Sequence, residues 1–391
     1  MKRDTPDGHA LTRRRFLTTG AGALVAAGYM AKTGLAVPSL IGEPSANIAA
    51  DSYICPPCGQ PCDKLTFDKP GQCPECEMTL IHKSELESVP TVAILLFDRA
   101  EIIDFGGPWE VFGGAGYKVF TVAEKMDPVN CVYGQRVSPD YTFDNSPPAD
   151  ILLVPGGGVS NAVHNQKLIK WVAENAQKAT HVLTVCTGAF IAAEAGLLDG
   201  LTATTVRGGI DQLAAAGKNI KTVHDKRYVD NGKIITTAGL SSGIDGALHL
   251  VSKIDGVGTA QLVALGIEYN WDPDGKFARA ALADRYLPNM NGFKWKVLSS
   301  SGDVDRWEFM ALVTGPALAA DILSNVGKQI AASTPHAQGA VTMTTTTASQ
   351  DRPEIGWKFR DESGRAWKGS GYVTTASDKG KFVLTLKLAR G

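Results

Sequence analysis

The chain has 391 residues, 44% of them hydrophobic and 20% charged, which is enough for two or three domains. The formal net charge of -1 gives no electrostatic basis for binding nucleic acid, so no nucleic-acid partner is expected. No apolar run is long enough to require a membrane span.

The N-terminal segment has the residue order of an export signal. Thr12-Arg13-Arg14-Arg15-Phe16-Leu17 precedes a mildly apolar, Ala/Gly-rich stretch that runs to Met30. This order resembles a twin-arginine signal, with Gly34-Leu35-Ala36 as a small-residue cleavage site. We expect a signal over residues 1–36, a linker over 37–52, and an exported, periplasmic protein without a stable membrane span after signal removal. A basic N-terminal tail is the alternative.

A Cys-rich module follows the linker, and it contains five of the seven cysteines. Cys55-Pro-Pro-Cys58 and Cys73-Pro-Glu-Cys76 are two CxxC pairs, and four such thiolates complete a tetrahedral metal shell. Residues 53–82 are therefore predicted to form a metal-binding ribbon that holds one ion, with Cys62 as a further candidate ligand. Zinc suits a closed four-Cys site, and copper(I) is the alternative metal. A disulfide-stapled module is the alternative structure.

The same module resembles the short heavy-metal-binding domain attached to bacterial metal-efflux proteins. The resemblance rests on Tyr53-Ile-Cys55-Pro and on Pro70-Gly-Gln-Cys73-Pro-Glu-Cys76 with the residues to Leu80. Cys58 stands where that domain usually has His, and Glu77 stands where it usually has Gly. A full thiolate shell leaves no open coordination position, so the expected role is structural or metal-sensing and not catalytic.

From residue 90 to 286, near-continuous apolar strands alternate with helical patterns, which predicts a parallel sheet covered on both faces by helices. The predicted strands are Thr91–Phe97, Tyr117–Ala123, Ala149–Pro155, His181–Cys186, Thr202–Thr205 and Lys233–Thr237. The predicted helices are Trp109–Gly113, Gln166–Ala179, Ala189–Leu198, Ile210–Ala216 and Ser242–Ile254. Asn231-Gly232 predicts a local hairpin.

The remaining residues, 290–391, no longer show the alternation of apolar strands and helices. Thr314 to Gln329 is predicted to be a helix. Val341 to Leu388 is rich in Thr, Val and aromatic residues, which predicts an antiparallel β-rich module. The sequence assigns no role to this module.

Cys186 lies between an apolar strand and an Ala-rich helix, a junction that favours a thiolate through the free N–H groups and dipole of the helix N-terminus. Asp104 and the glycines Gly157 and Gly158 follow neighbouring strands, and the carboxyl ends of parallel strands meet at one crevice. The amides of Gly157 and Gly158, with that of Thr187, are predicted to form an oxyanion hole. The alternative role for the glycines is a tight turn without an oxyanion hole. The proposed chemistry needs no metal or cofactor at Cys186.

The order of these motifs resembles the ThiJ/PfpI superfamily, which is class I glutamine amidotransferase-like, and within it the isonitrile hydratase-like branch. The matching motifs are Asp104-x-x-Gly-Pro108-x-Glu110, Pro155-Gly-Gly157, Val185-Cys-Thr-Gly188, Ala193-Gly-Leu-Leu-Asp-Gly200, Ala203-Thr-Thr205, Gly239-Leu-Ser-Ser-Gly-Ile-Asp245 and Glu268-Tyr269. The resemblance implies a flavodoxin-like α/β sandwich, often homodimeric, with a cysteine on a nucleophile elbow, the sharp turn between a strand and a helix. It implies that Cys186 is the nucleophile, that Asp104 gives and takes a proton, and that Thr187 orients the intermediate.

Two further residues are candidates for substrate binding. Arg207 follows Val206 at the place where the hydratase branch carries His-Trp, which implies an altered pocket wall. Glu110 is the second candidate, and a solvent-facing residue at a helix start is its alternative role. Thr187 stands where the peptidase-like branch has His, which disfavours proteolysis.

Two functions follow from these patterns. The favoured one is a Cys-dependent enzyme that acts on a small-molecule substrate, most like an isonitrile hydratase. The alternative is a non-enzymatic, metal- or redox-responsive ligand-binding protein on the same fold, since fold alone does not fix function.

Overall fold

The computed structural model describes residues 52–56, 60–87, 89–275, 277–289, 292–315, 318–333, 341–346, 353–378 and 380–391. The predicted signal and nearly all of the predicted linker lie outside these residues. The described chain forms two compact units: the part up to Pro90 with Leu262–Asn270, and the part Thr91–Gln261 with Trp271–Gly391.

The first unit contains the small Cys-rich module. Its elements are β1 (Tyr53–Ile54), β2 (Thr66–Phe67), β3 (Ile81–His82) and α1 (Lys83–Glu87). The strands pair antiparallel in the order β2-β1-β3. Its buried core consists mainly of cysteines, with Leu80 beside Cys55, Cys62 and Cys73. A module this short has little other apolar surface to bury, so bridging its cysteines would contribute much of its stability.

The second unit begins with a seven-stranded sheet and its helices, and the last of these helices runs from this unit into the Leu262–Asn270 part of the first. The elements in chain order are β4 (Thr91–Leu95), α2 (Ile102–Gly114), β5 (Lys118–Ala123), β6 (Val129–Asn130), β7 (Arg136–Val137), β8 (Tyr141–Thr142), β9 (Ile151–Val154), α3 (Gln166–Lys178), β10 (His181–Val185), α4 (Gly188–Glu194), β11 (Thr202–Ala203), α5 (Ile210–Ala214), β12 (Lys221–Thr222), β13 (Tyr228–Asp230), β14 (Ile234–Thr237), α6 (Ser242–Asp255) and α7 (Val257–Gly266).

The sheet has the order β13-β14-β10-β9-β4-β5-β8, and all neighbours pair in parallel except β13 and β14. Every residue of β9 is buried, as expected for a central parallel strand. The antiparallel β13–β14 pair confirms the hairpin predicted from Asn231-Gly232. The parallel core therefore agrees with the sequence prediction.

The helix α2 begins earlier than predicted. It starts at Ile102 and continues through Pro108, so Asp104 lies in its first turn and not in a loop. Gly106-Gly107-Pro108 has poor helix propensity, and Pro108 offers no N–H to the helix ladder. Packing outweighs propensity here: Phe105 and Phe112 are buried, and a side chain at Gly107 would collide with Ile244 of α6.

The predicted strand Thr202–Thr205 is not part of the main sheet. Only Thr202–Ala203 is extended, and it pairs with β12 in a separate two-stranded sheet. The next residues, Thr204 and Thr205, are buried and form hydrogen bonds to the main domain instead, as described below.

The C-terminal module is a six-stranded antiparallel sheet with one helix. Its elements are β15 (Lys294–Gly302), β16 (Arg306–Thr314), α8 (Ala319–Ser333), β17 (Thr342–Thr346), β18 (Glu354–Arg360), β19 (Ala366–Thr375) and β20 (Lys381–Arg390), in the sheet order β15-β16-β20-β19-β18-β17. The helix starts at Ala319 and not at Thr314, because Thr314 pairs with Lys381 at the end of β16. The β-rich character is as predicted.

No helix within the described residues is both long and apolar enough to cross a membrane.

Candidate active site and metal centre

Cys186 lies on a sharp turn between β10 and α4, with a positive φ of 57°. Non-glycine residues seldom adopt this conformation, which is often held in place at functional sites. The Cys186 N–H donates to the carbonyl of Thr237 at 3.2 Å, and the Thr205 hydroxyl donates to the Cys186 carbonyl at 2.6 Å. Gly188 is required next to this turn, since a Cβ there would lie 2.2 Å from the Val154 carbonyl oxygen. The surroundings thus fix the strained thiol-bearing turn.

Asp104 is completely buried in the first turn of α2. Its two carboxylate oxygens accept hydrogen bonds from the amides of Gly156 at 3.1 Å and Leu240 at 3.0 Å. The Cys186 thiol lies beside this carboxylate, because each of the two groups shifts the pKa of the other. The structure therefore brings Asp104 and Cys186 together, as the motif order predicted.

Both groups of this pair have strongly raised pKa values. Burial raises the pKa of Asp104 to about 7, against the lowering effect of the Gly156 and Leu240 amides. Burial and then the Asp104 charge raise the pKa of Cys186 to about 12, although hydrogen bonds from Thr187 oppose the rise. The predicted thiolate is therefore wrong for this state, because burial outweighs the dipole of the short helix α4. Near neutral pH the proton stays on sulfur, and Asp104 is the group that titrates.

The glycine loop after β9 does not supply the predicted oxyanion hole. The Gly157 amide donates to the Thr187 hydroxyl at 2.9 Å, and the Gly158 amide donates to the Arg99 carbonyl at 2.9 Å. The Gly156 amide is engaged by Asp104. The Thr187 hydroxyl also donates to the Gly157 carbonyl at 2.9 Å. These two hydrogen bonds fix the loop to Thr187, so the loop has a structural role. Of the amides predicted to stabilise an oxyanion, that of Thr187 faces the Cys186 sulfur.

Close packing explains why this loop consists of glycines. A Cβ at Gly156 would lie 2.5 Å from the Thr187 nitrogen and 2.9 Å from Asp104 Oδ2. Gly157 has a φ of 123°, and a Cβ there would lie 2.1 Å from the Arg99 carbonyl oxygen. The glycines allow the backbone to approach Asp104 and Thr187 directly.

Substrate binding by Arg207 and by Glu110 stays a prediction. The Arg207 guanidinium pairs with Asp284 at 3.2 Å. Its neighbour Val206 is the residue near the site, because a Cβ at Gly239 would lie 3.4 Å from both the Val206 Cβ and the Cys186 sulfur. Glu110 is exposed on α2, consistent with its alternative solvent-facing role.

Sequence reasoning gave no role to three residues that support the pair. Thr205 holds the Cys186 carbonyl, and Leu240, with a positive φ of 52°, turns its amide towards Asp104. Gly239, with a φ of 150°, lies beside the sulfur, since a Cβ there would be 3.4 Å from it. The Ala203-Thr-Thr205 and Gly239-Leu-Ser-Ser motifs contain these residues and could have drawn attention to them. Their contacts with Cys186 and Asp104 join distant parts of the chain and cannot be derived from spacing.

In the Cys-rich module, the sulfurs of Cys55, Cys62, Cys73 and Cys76 all lie within 4.8 Å of one another. The Cys55–Cys76 sulfurs are 3.1 Å apart and the Cys62–Cys55 sulfurs 3.8 Å apart. A tetrahedral zinc site with Zn–S bonds of about 2.3 Å separates its sulfurs by about 3.8 Å, so the four thiols fit such a shell. Cys62 thus joins three of the predicted ligands, while Cys58 lies outside the described residues.

A tight turn positions the second pair of these cysteines. The Cys73 amide donates to the Met78 carbonyl at 2.8 Å, and the Glu77 amide donates to the Cys73 carbonyl at 2.9 Å. A hydrogen bond from the Met78 amide lowers the pKa of Cys76 to about 7, with a further contribution from Cys55. Glu77 has a positive φ of 58°, which explains why the resembling domain carries glycine there.

The parallel sheet and the strained, acid-paired cysteine define an α/β protein of the nucleophile-elbow type. Residues 90–253 match the model of the DJ-1/PfpI family, and residues 52–83 match that of the heavy metal binding domain. The chain is 36% identical over 180 residues to an isonitrile hydratase of Pseudomonas putida, across 46% of this chain and 78% of that relative. The chain therefore belongs to the DJ-1/PfpI family.

More distant relatives share the same domain. The protein dj-1beta of Drosophila melanogaster is 27% identical over 180 residues, across 44% of this chain and 94% of that relative. A solved structure of a ThiJ/PfpI family protein from Pseudomonas syringae is 31% identical, covers 48% of this chain and 78% of its own, and has a TM-score of 0.45.

Proposed function

We propose that the protein is a Cys-dependent hydratase that adds water to a small isonitrile and releases an N-substituted formamide. The observation that carries the proposal is the buried Asp104 carboxyl, held by two amides and adjacent to the Cys186 thiol. The similarity to an isonitrile hydratase supports the choice of substrate class.

The pKa values determine the direction of proton movement in the first step. A thiol with a pKa of about 12 attacks slowly unless a base removes its proton, and Asp104, with a pKa of about 7, is the adjacent acceptor. The sulfur then bonds to the terminal carbon of the isonitrile while Asp104 delivers the same proton to that carbon. The product is a thioformimidate linked to Cys186, formed without net gain or loss of protons.

Water completes the reaction in the second step. The water oxygen adds to the imine carbon, and one water proton goes to the nitrogen. The C–S bond then breaks, and Asp104 transfers the second water proton to the sulfur. The formamide leaves and the thiol is restored. Thr187 acts in both steps by holding the loop at Gly157 and by directing its amide to the sulfur.

Replacement of the thiol tests this mechanism. We expect Cys186→Ala to lose hydration of an isonitrile panel while retaining the circular dichroism of the parent. Cys131→Ala is the matched control, because Cys131 is also a buried, free cysteine of the same domain, in the loop between β6 and β7. Equal activity of the Cys186→Ala variant and the parent would show that the mechanism is wrong.

The Cys cluster supports a second proposed role, metal binding, which also keeps a metal-responsive function open. Cys55, Cys62, Cys73 and Cys76 would hold one ion, with zinc favoured by the four-thiolate set and copper(I) as the alternative. The ion would cross-link a module whose core consists mainly of these cysteines.

Elemental analysis tests the metal proposal. Protein matured in its native host should contain about one zinc or copper per chain, and Cys62→Ser should reduce this content, whereas Cys131→Ser should not. Absence of both metals from the parent protein would refute the proposal.

Export remains a proposal that rests on Arg13, Arg14 and the following apolar stretch. A periplasmic fraction should contain the protein, and Lys replacements of both arginines should retain it in the cytoplasm. Unchanged fractionation of that variant would exclude the twin-arginine route. The homodimer also remains a prediction, which sedimentation of the purified protein would check.

A further inference from the structure

A cleft of about 370 Å³ lies beside the 207–212 segment, apart from the Cys186 thiol. Its walls come from Arg207, Gly208 and Gln212, from His224, and from Arg285 in the segment that precedes β15. A Cβ at Gly208 would meet no atom within 4 Å, so the backbone is open to the cleft there. This size lies at the lower end of the range of small-molecule sites.

The charged residues that line this Arg207–Arg285 cleft are two arginines, Arg207 and Arg285, and the aspartate Asp211. Burial lowers the pKa of Arg207, Asp284 opposes this shift, and the nearby charges of Arg279 and Arg285 add to it. Asp284 forms ion pairs with two arginines: Arg279 donates to it through two nitrogens, and Arg207 donates through one. One carboxylate is therefore shared between two cations.

Arg285 is the third cation, and its side chain is only 8% exposed. Its Nη2 lies 2.9 Å from Glu362 Oε1, but no acceptor among the described residues makes an aligned hydrogen bond with this buried nitrogen. Glu362 balances the charge of Arg285 but does not satisfy this donor with an aligned hydrogen bond, so an oxygen atom that aligns with it would gain a contact.

We infer that the Arg207–Arg285 cleft binds a small molecule through an oxyanion, either a carboxylate or a phosphate group. Guanidinium groups recognise both anions with paired N–H donors, and a buried guanidinium strengthens such contacts. Gln212 and His224 add polar groups to the same wall, and Asp211 is largely exposed. The remaining volume accommodates an organic portion beyond the anionic group.

The position of this cleft links it to the thiol site. Arg207 is joined directly to Val206, whose side chain lies beside Gly239 and the Cys186 sulfur. A ligand that moves the Arg207 backbone would therefore alter the wall of the proposed active site. The anion site nevertheless does not depend on the proposed chemistry, and Cys186→Ala should bind the anion like the parent protein.

Calorimetric titration of the full chain with inorganic phosphate and with succinate tests the inference, with chloride at matched ionic strength as the reference. We expect at least one oxyanion to bind, and the arm that binds identifies phosphate or carboxylate as the recognised group. Arg207→Gln should weaken binding by about tenfold or more, whereas Arg306→Gln, an exposed arginine paired with Asp303, should not. His224→Gln provides a second variant if loss of the Asp284 contact unfolds the first.

Two results would overturn the inference: heat changes with both oxyanions that do not exceed those with chloride, or equal affinities of the parent and of every folded cleft variant.

Discussion

Replacing Asp104 with Asn should change how the stability of the protein depends on pH. The unfolded chain releases this proton near the ordinary pKa of 3.8, whereas the folded protein keeps it until about pH 7. The folded state therefore binds more protons in this window, and the free energy of unfolding falls as pH rises through it. The full loss corresponds to about 4 kcal/mol, of which about 2.5 kcal/mol falls between about pH 5 and about pH 8.

Asp104→Asn removes this ionisation but also places an amide group against the Gly156 or Leu240 N–H. That mismatch costs about 1–3 kcal/mol at every pH, so the informative quantity is the slope and not the stability at one pH. Hydrogen exchange of peptides that span β10, measured by mass spectrometry at both pH values, reports the unfolding free energy of this domain.

The parent should lose about 2.5 kcal/mol more than Asp104→Asn between the two pH values. Asp127→Asn, at an exposed position, should behave like the parent. The same slope in the parent and in Asp104→Asn would refute the assignment of a buried, proton-retaining carboxyl.

Three further outcomes follow from the same contacts. The kcat/KM for an isonitrile should rise with pH around an apparent pKa of about 7, because Asp104 must be ionised to accept the thiol proton, and a fall over that range would contradict this order of steps. Gly156→Ala should lower the melting temperature and abolish activity, since its Cβ would lie 2.5 Å from the Thr187 nitrogen, whereas Gly113→Ala in the last turn of α2 meets no atom within 4 Å and should be stabilising. Glu77→Gly should stabilise the Cys-rich module by about 1 kcal/mol in thermal unfolding, because Glu77 has a positive φ of 58°, and an unchanged or lower melting temperature would show that this conformation carries no strain.

The sequence was sufficient to predict the parallel core and the position of the thiol. Both follow from local patterns: the apolar strand before Cys186 and the Ala-rich helix after it determine the turn between them. The approach of Asp104 also followed from topology, because loops at the carboxyl ends of parallel strands converge. The sequence could not show that Asp104 lies within a helix, since Gly106-Gly107-Pro108 disfavours helix locally and packing against α6 reverses that preference.

The errors at the site share a physical cause, which is that they depend on partners distant in the chain. The glycine-rich sequence around Gly157 and Gly158 is typical of an anion-binding loop. In the structure, however, these two amides donate hydrogen bonds to the Thr187 hydroxyl and the Arg99 carbonyl. The contact between Arg207 and Asp284, which are 77 residues apart in the chain, likewise cannot be derived from spacing. The spacing of residues shows which amides and charged side chains a loop contains. It does not show which of them already have a hydrogen-bond or ion-pair partner within the protein.

The occupied glycine loop limits the reactions that this fold can accelerate. Hydrolysis of a peptide or ester concentrates negative charge on a carbonyl oxygen, and enzymes for those reactions keep several amides ready to receive it. Here the amide of Gly156 binds the acid, that of Gly157 binds Thr187 beside the thiol, and that of Gly158 binds the Arg99 carbonyl. We therefore expect the proposed reaction to favour substrates whose addition product becomes neutral after one proton transfer over acyl substrates.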